Sequence, residues 1–516
     1  MRRALAFLLC ALAGPLAAAP APRKARLPAG LVIESIRVET HNIFKTDTPP
    51  ENKLLYRLAN RAHIKTFDAV IERELLFAVG DRFDPLLIEE TERNLRGLAF
   101  IRRAEVTASV NAKGGVDVLV RTYDAWTLEV VANFKRAGGA TSVKAGFAEN
   151  NILGQGKSLS AVYADDAGAV SRTLAYKDLQ FLRHKRLQYQ ISAVSTTGNR
   201  QYAMSLNRPF YASIAPRSAG GSVVYGESRL TGQTRKTIEG GLNYGVALAT
   251  STTRTRRVTF GVLSRRSETT GPSRDLQQLN FLKVGGDWQE LDFITARRIQ
   301  TFTRDEDYNL GLGVFPSVAY APKAAGSTNG QLEPRIDAAK GFALSNQLIR
   351  LKSGYGSTYI NGNNGNRIAS FDVSYFLREF RFQTLALHAG LDLGWQLSST
   401  SQLSLGELNG LRGYGLSEFT GSRRFLFNFE DRIYVYDDLF RLLDVGSVLF
   451  YDSGYAWPEG RSVRVSDLKN SVGVGLRIAP SRSGSNSPVR VDLAYPLNRR
   501  AGAASWSLSI LAGQAF

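Results

Sequence analysis

From Trp126 onward, apolar residues recur at every second position. In WTLEVVANF, Trp126, Leu128, Val130, Ala132 and Phe134 share one parity. Val472, Val474, Leu476 and Ile478 repeat the pattern, as do Val489, Val491, Leu493 and Tyr495, and Trp506, Leu508, Ile510 and Ala512. Between these positions stand Ser, Gly, Arg and Asp. A period of two predicts strands with one apolar and one polar face. Runs of about 9–11 residues match tilted strands that cross a bilayer with apolar side chains outward. Sixteen to twenty candidate strands follow Trp126. The stretch 215–345 resists parsing, and some of its runs read as hairpins in long outer loops. A soluble sandwich or propeller is the competing architecture, but no blade-length repeat supports it.

Residues 31–122 follow a different rhythm. LVIESIRVET alternates like a strand, and Leu54–Ile64 and Thr66–Phe77 read as helical. Asp84-Pro85 is a helix start, with a capping carboxylate and proline at the first helical position. Leu87, Ile88, Thr91, Leu95 and Leu98 then fall on one face. IRRAEVTASV, a Gly turn and VDVLVRT form a hairpin. The predicted order is β-α-α-β-β.

The first twenty residues carry Arg2 and Arg3, a short apolar run and an Ala-rich end, the pattern of a secretory signal peptide. Cys10, the only cysteine, lies within it, so no disulfide or thiolate metal site is expected afterwards. No later stretch is apolar for the ~18 residues that a membrane helix needs. An exported chain that crosses a membrane without helices must do so as a closed barrel. The net charge is +19, most of it after residue 124. In an exported chain such charge suits anionic lipid headgroups or a basic lumen, and nucleic acid is not an expected partner.

Little points to catalysis. GKS at 156–158 lacks the glycine of a phosphate loop at position 151, which is Asn. The four histidines, His41, His63, His184 and His388, are not at metal-ligand spacing. No catalytic residue, metal or cofactor is predicted, and the chain is not expected to be an enzyme. The unusual stretch is GLRGYGLSEFTGSRRFLFNFEDR, residues 410–432. Its glycines surround an arginine, and a strand follows. If Phe425, Phe427, Phe429 and Ile433 face lipid, Asn428, Glu430 and Arg432 face the lumen. Leu449 and Tyr451 outward likewise place Asp452 inward.

These residues resemble those of the BamA/TamA outer-membrane assembly family, also called the bacterial surface-antigen family. RELLFAVGDRFDPLLIEETERNLRGLAFIRRAEV resembles the helix-to-strand part of its polypeptide-transport-associated (POTRA) domain. ENNILGQGKSL, FYDSGYAW, GVGLRI and PVRVDLAYPL resemble its barrel strands, and the ending GQAF its C-terminal aromatic. Arg412-Gly413-Tyr414 matches the Arg-Gly-Phe/Tyr motif of a loop folded back into the barrel. The resemblance implies a mainly β fold: a signal peptide (1–20), one POTRA-like periplasmic domain (30–122) and an outer-membrane β-barrel of about 16 strands (125–516). It implies that Arg412 grips Glu430 and Asp452. It also implies a seam where the first strand, with Trp126 and Leu128, meets the last, with Gly513 and Phe516. The implied function is insertion or translocation of polypeptides at the outer membrane of a Gram-negative cell. The expected partners are extended polypeptides, outer-membrane lipid and lipopolysaccharide, with periplasmic chaperones or accessory lipoproteins. The alternative is a transport or secretion pore plugged by the Arg412 loop.

Overall fold

The computed structural model describes residues 27–516 except 138–139, 167, 185, 231, 273, 379, 381, 399–400, 485–486 and 499–505. The signal-peptide stretch lies outside the described residues.

The amino-terminal domain is a three-stranded sheet. Val116–Asp124 lies in the centre, parallel to Ile33–His41 and antiparallel to Ile101–Val110. Helix Pro85–Arg96 covers one face. The Asp84 carboxylate accepts from the Leu86 amide at 2.9 Å, which satisfies one free donor of the first turn. Ile88 and Leu95 of this helix pack on Ile33, Val118 and Val120. The second predicted helix is cut to Asp68–Glu72. The chain leaves it because Glu74 turns toward the barrel, where Gln180 Nε2 donates to its carboxylate at 2.7 Å and Arg186 pairs with it.

The rest of the chain forms a closed barrel of 20 strands, from Leu128–Ala137 to Ser507–Ala512. This corrects the expectation of about 16. The difference lies in the stretch that resisted parsing. Arg217–Leu230, Gln233–Thr250, Arg254–Thr270 and Asp275–Glu290 are all barrel strands. The period of two is present there: Val223, Ile238, Leu242, Tyr244, Phe260 and Val262 all point outward, exposed. Paired glycines and terminal charges hide it. An 18-residue strand spans roughly 60 Å, well beyond an apolar band about 25 Å tall, and its first residues, QTRKT, are polar.

The small domain sits against one end of the barrel. Ser213 donates to Glu90 from its amide (2.7 Å) and its hydroxyl (2.5 Å). Tyr56 donates to the Phe440 carbonyl at 2.8 Å, and Arg482 pairs with Glu51 at 2.7 Å. This contact defines the domain-facing mouth. The connection between Asp275–Glu290 and Gly313–Ala321 opens at this mouth and not at the far one. It holds a small hairpin, Phe293–Ala296 against Glu306–Asn309, and Asp307 pairs with Arg96 of the domain at 2.8 Å. The expectation of hairpins in outer loops is corrected here.

The barrel's joints are unequal. Leu128–Ala137 pairs with its sequence neighbour from Leu128↔Glu149 to Ala137↔Ala140, along its whole length. Against the last strand it makes three pairs: Leu508↔Arg136, Ser509↔Lys135 and Ile510↔Phe134. The seam therefore differs from the expected one. Trp126 lies before the strand, and its amide donates to the Arg482 carbonyl at 2.7 Å. Leu128 faces Glu149. Gly513 adopts φ +89°, a left-handed conformation that ends the last strand. Phe516 then turns into the lumen, stacked on His388 with ring centroids 5.5 Å apart.

Candidate functional site

The site is a buried network of charged side chains on the barrel's inner wall. Strand Arg423–Leu439 alternates as its phenylalanines require, and Asn428, Glu430, Arg432 and Tyr434 are buried on the lumenal side. Strand Leu443–Trp457 presents Phe450 and Asp452, Lys469–Pro480 presents Arg477, and Val489–Pro496 presents Asp492. Four adjacent strands thus offer carboxylates and guanidiniums to one point in the lumen.

The loop between Gln383–Trp395 and Arg423–Leu439 supplies the other partner. A small ladder, Leu403–Leu405 against Phe419–Gly421, stiffens it. At its tip Gly410 (φ +97°) and Gly413 (φ +90°) bracket Leu411 and Arg412, conformations that other residues rarely adopt. Arg412 is 2% exposed. Its Nε and Nη2 donate to Asp452 at 2.7 and 2.8 Å, the two-bonded fork of a guanidinium on a carboxylate. Nη1 donates to Glu430 at 2.8 Å and approaches Asp492 at 3.4 Å. The guanidinium lies 3.5 Å from the centroid of the Phe450 ring. Tyr414 donates to the Asn470 carbonyl at 2.8 Å, and Asn428 holds the Gly410 carbonyl at 2.8 Å.

Sequence reasoning placed Glu430 and Asp452 inward, and the structure brings both to Arg412. Asp492 and Arg477 were missed as members. Arg477 donates to Asp492 at 2.5 Å and reaches Glu430 at 3.5 Å. Both share the inward parity of their strands, so the same alternation identifies them. Burying so many charges is tolerable only because each has an opposite partner within hydrogen-bond reach.

Glu407, also missed, extends the loop to the seam. Its carboxylate accepts from the Gly413 amide at 2.8 Å and from Ser507 of the last strand at 3.1 Å. Its carbonyl accepts from Lys135 of the first strand at 3.4 Å. Burial pushes the Glu407 carboxyl above the usual carboxylate range, against the hydrogen bonds that favour its charged form.

The domain-facing hairpin enters from the opposite mouth. Ile299 and Phe302 are buried in the lumen, and Phe302 meets Tyr434 edge-on at 5.1 Å. Glu306 fixes the turn by accepting from the amides of Ile299, Gln300 and Thr301 at 3.0–3.1 Å. Gln300 Nε2 donates to the Phe516 main-chain oxygen at 2.9 Å. Arg432 joins the two loops: Nε donates to Glu430 at 2.8 Å and Nη1 to the Ile299 carbonyl at 2.6 Å. Among the described residues no group of His, Cys, Asp and Glu side chains has the geometry to hold a metal ion.

No protein-family model and no curated protein matches the chain. Among solved structures, BamA from Haemophilus ducreyi lacking POTRA domains 1–3 is similar over 93% of this chain and 85% of that one, at 13% identity and TM-score 0.38. CdiB from Acinetobacter baumannii matches 94% of this chain and 74% of its own, at 10% identity and TM-score 0.47. CdiB from Escherichia coli matches 93% and 76%, at 12% identity and TM-score 0.46. Likeness of this degree concerns the course of the chain alone. In that course the chain is similar, over about nine-tenths of its length, to the BamA and CdiB structures.

Proposed function

We propose that the protein handles extended polypeptides at the outer membrane, inserting them into the bilayer or passing them across it. The three-pair seam carries this reading. A net hydrogen bond contributes roughly 1 kcal/mol in water and more in lipid, so the shortest joint is the cheapest to part. The freed edges of the first and last strands would present unpaired amides and carbonyls on which an incoming strand can pair. The small domain's sheet edge along Ile33–His41, taken at its first residue by Gly80 and Asp81, offers a first pairing site on the periplasmic side. The partners of this reading are unfolded or extended polypeptides, delivered by periplasmic chaperones or accessory lipoproteins, with outer-membrane lipid and lipopolysaccharide around the barrel.

A disulfide across the seam tests it. Phe134 and Ile510 are directly paired, so cysteines there can bridge it once Cys10 is replaced. Oxidation should stop client assembly or passage, and reduction should restore it. Equal activity in both states would rule the lateral route out.

A second reading is a pore for one dedicated partner, lipid or small solutes, with the Arg412 loop as its plug. The buried seat of Arg412 in the lumen favours it. Arg412→Ala separates the two: a large rise in single-channel conductance with no loss of barrel-protein assembly supports the pore.

A further inference from the structure

Helix Leu54–Ala62 is mounted the wrong way round for a globular protein. Leu54, Leu55, Leu58 and Ala62 share one face. In a soluble domain that face seeks the core. Here Leu54 is 63% exposed, Leu55 59% and Leu58 49%. The opposite, more polar side holds the helix in place. Tyr56 is buried and donates to the Phe440 carbonyl at 2.8 Å, while Asn60 exchanges two hydrogen bonds with the Phe44 main chain at 2.8 and 3.1 Å. Lys53, Arg57 and Arg61 flank the leucines and are exposed.

The attachment point gives the surroundings. Phe440 belongs to the short turn between barrel strands Arg423–Leu439 and Leu443–Trp457 at the domain-facing mouth. Val435, Tyr436 and Phe440 point outward there, all more than half exposed. They are the lower edge of the barrel's apolar belt. The helix therefore sits beside a surface already built for lipid, with its leucines turned away from the attachment and free. A helix with leucines on one side and arginines at its border has the composition of one lying in a bilayer interface.

We propose that helix Leu54–Ala62 docks on the periplasmic leaflet of the membrane, with its leucines among the acyl chains and Lys53, Arg57 and Arg61 on anionic phospholipid headgroups. The small domain is thereby held against the bilayer by lipid as well as by its contacts with the barrel. The inference rests on the barrel spanning that bilayer.

The test uses the whole chain with Cys10→Ala and Leu58→Cys, labelled with an environment-sensitive fluorophore and reconstituted in phosphatidylethanolamine vesicles with or without phosphatidylglycerol. The expected result is a blue-shifted emission, loss of quenching by iodide and strong quenching by lipids brominated near the headgroup. Phosphatidylglycerol should enhance all three, and Arg57→Gln with Arg61→Gln should remove the enhancement. A label at Val130→Cys, on the outer wall and 79% exposed, serves as reference. If Val130 is quenched by acyl-chain bromine while Leu58 stays open to iodide, the helix proposal fails and the barrel stands. If neither label is quenched, the membrane reading itself fails. Shielding of Leu58 only after an unfolded polypeptide is added would assign the face to a client and overturn the lipid proposal.

Discussion

Arg432 donates to the carbonyl of Ile299 at 2.6 Å, so a wall residue that also holds Glu430 grips the hairpin entering from the domain-facing mouth. The outer loop grips the same Glu430 through Arg412. Two inserts from opposite mouths are thus linked through one wall pair, Arg432 and Glu430. Arg432→Gln is expected to loosen both, whereas Arg412→Ala frees the outer loop first. Planar bilayer recording should show a higher and noisier conductance for Arg432→Gln than for Arg412→Ala. Equal traces would mean that the hairpin does not obstruct the lumen.

Arg412 also bears on the stability of the wall. Its removal leaves Asp452, Glu430 and Asp492 with fewer cations in a buried setting, at a cost of order 3–5 kcal/mol. Arg412→Ala should lower the urea midpoint of the heat-modifiable folded band by a corresponding amount. Arg412→Lys should recover only part, because an ammonium cannot form the paired bonds to Asp452. Full recovery by lysine would show that charge alone matters.

Glu407 predicts a pH response at the seam. Its carboxyl is pushed up in the docked loop. The docked state therefore holds the proton more tightly than the released state. Docking is strongest below the ordinary carboxylate pKa of about 4.3, and it weakens as pH rises from there through the raised value. Hydrogen exchange at residues 403–421 should accelerate over that rise in the wild type. Glu407→Gln should flatten the profile, and an unchanged profile would remove Glu407 as its source.

The hairpin is tied to the small domain by Arg96, which forks onto Asp307 at 3.0 and 2.8 Å. Arg96→Ala should raise amide exchange in Phe293–Ala296 and Glu306–Asn309 while leaving the Arg412 loop protected. Cooperative exposure of both loops would instead make the domain a direct control on the whole lumen.

The alternation of strands Arg423–Leu439 and Leu443–Trp457 was legible because their outward residues are large and apolar, and it placed Glu430 and Asp452 correctly. The same rule covers Asp492 and Arg477, but nothing local marks Asp492 as a partner of a loop residue 80 positions earlier, or Arg477 as a partner of Glu430 47 positions earlier. The strand number was not legible. Between Arg217 and Glu290 the outward positions are interrupted by glycine pairs, and a barrel can count any alternating run as wall. A single miscounted strand also reverses which mouth every later loop faces. That is why the hairpin at Phe293–Asn309 reads as an outer element in sequence. The seam was misplaced for a local reason: Gly513 breaks a run that otherwise continues to Phe516, and only its backbone angle reveals the turn.

A ring of twenty strands is too wide for wall side chains to fill, unlike an eight-stranded one. Its closure is left to two inserts that form no part of the ring. Closing the lumen and stabilising the ring meet in the same few residues, because Glu430 and Arg432 stand in the wall and hold the inserts. Changes in the inserts that spare Arg412 should open the lumen with the ring intact, whereas loss of Arg412 or Glu430 should unsettle both.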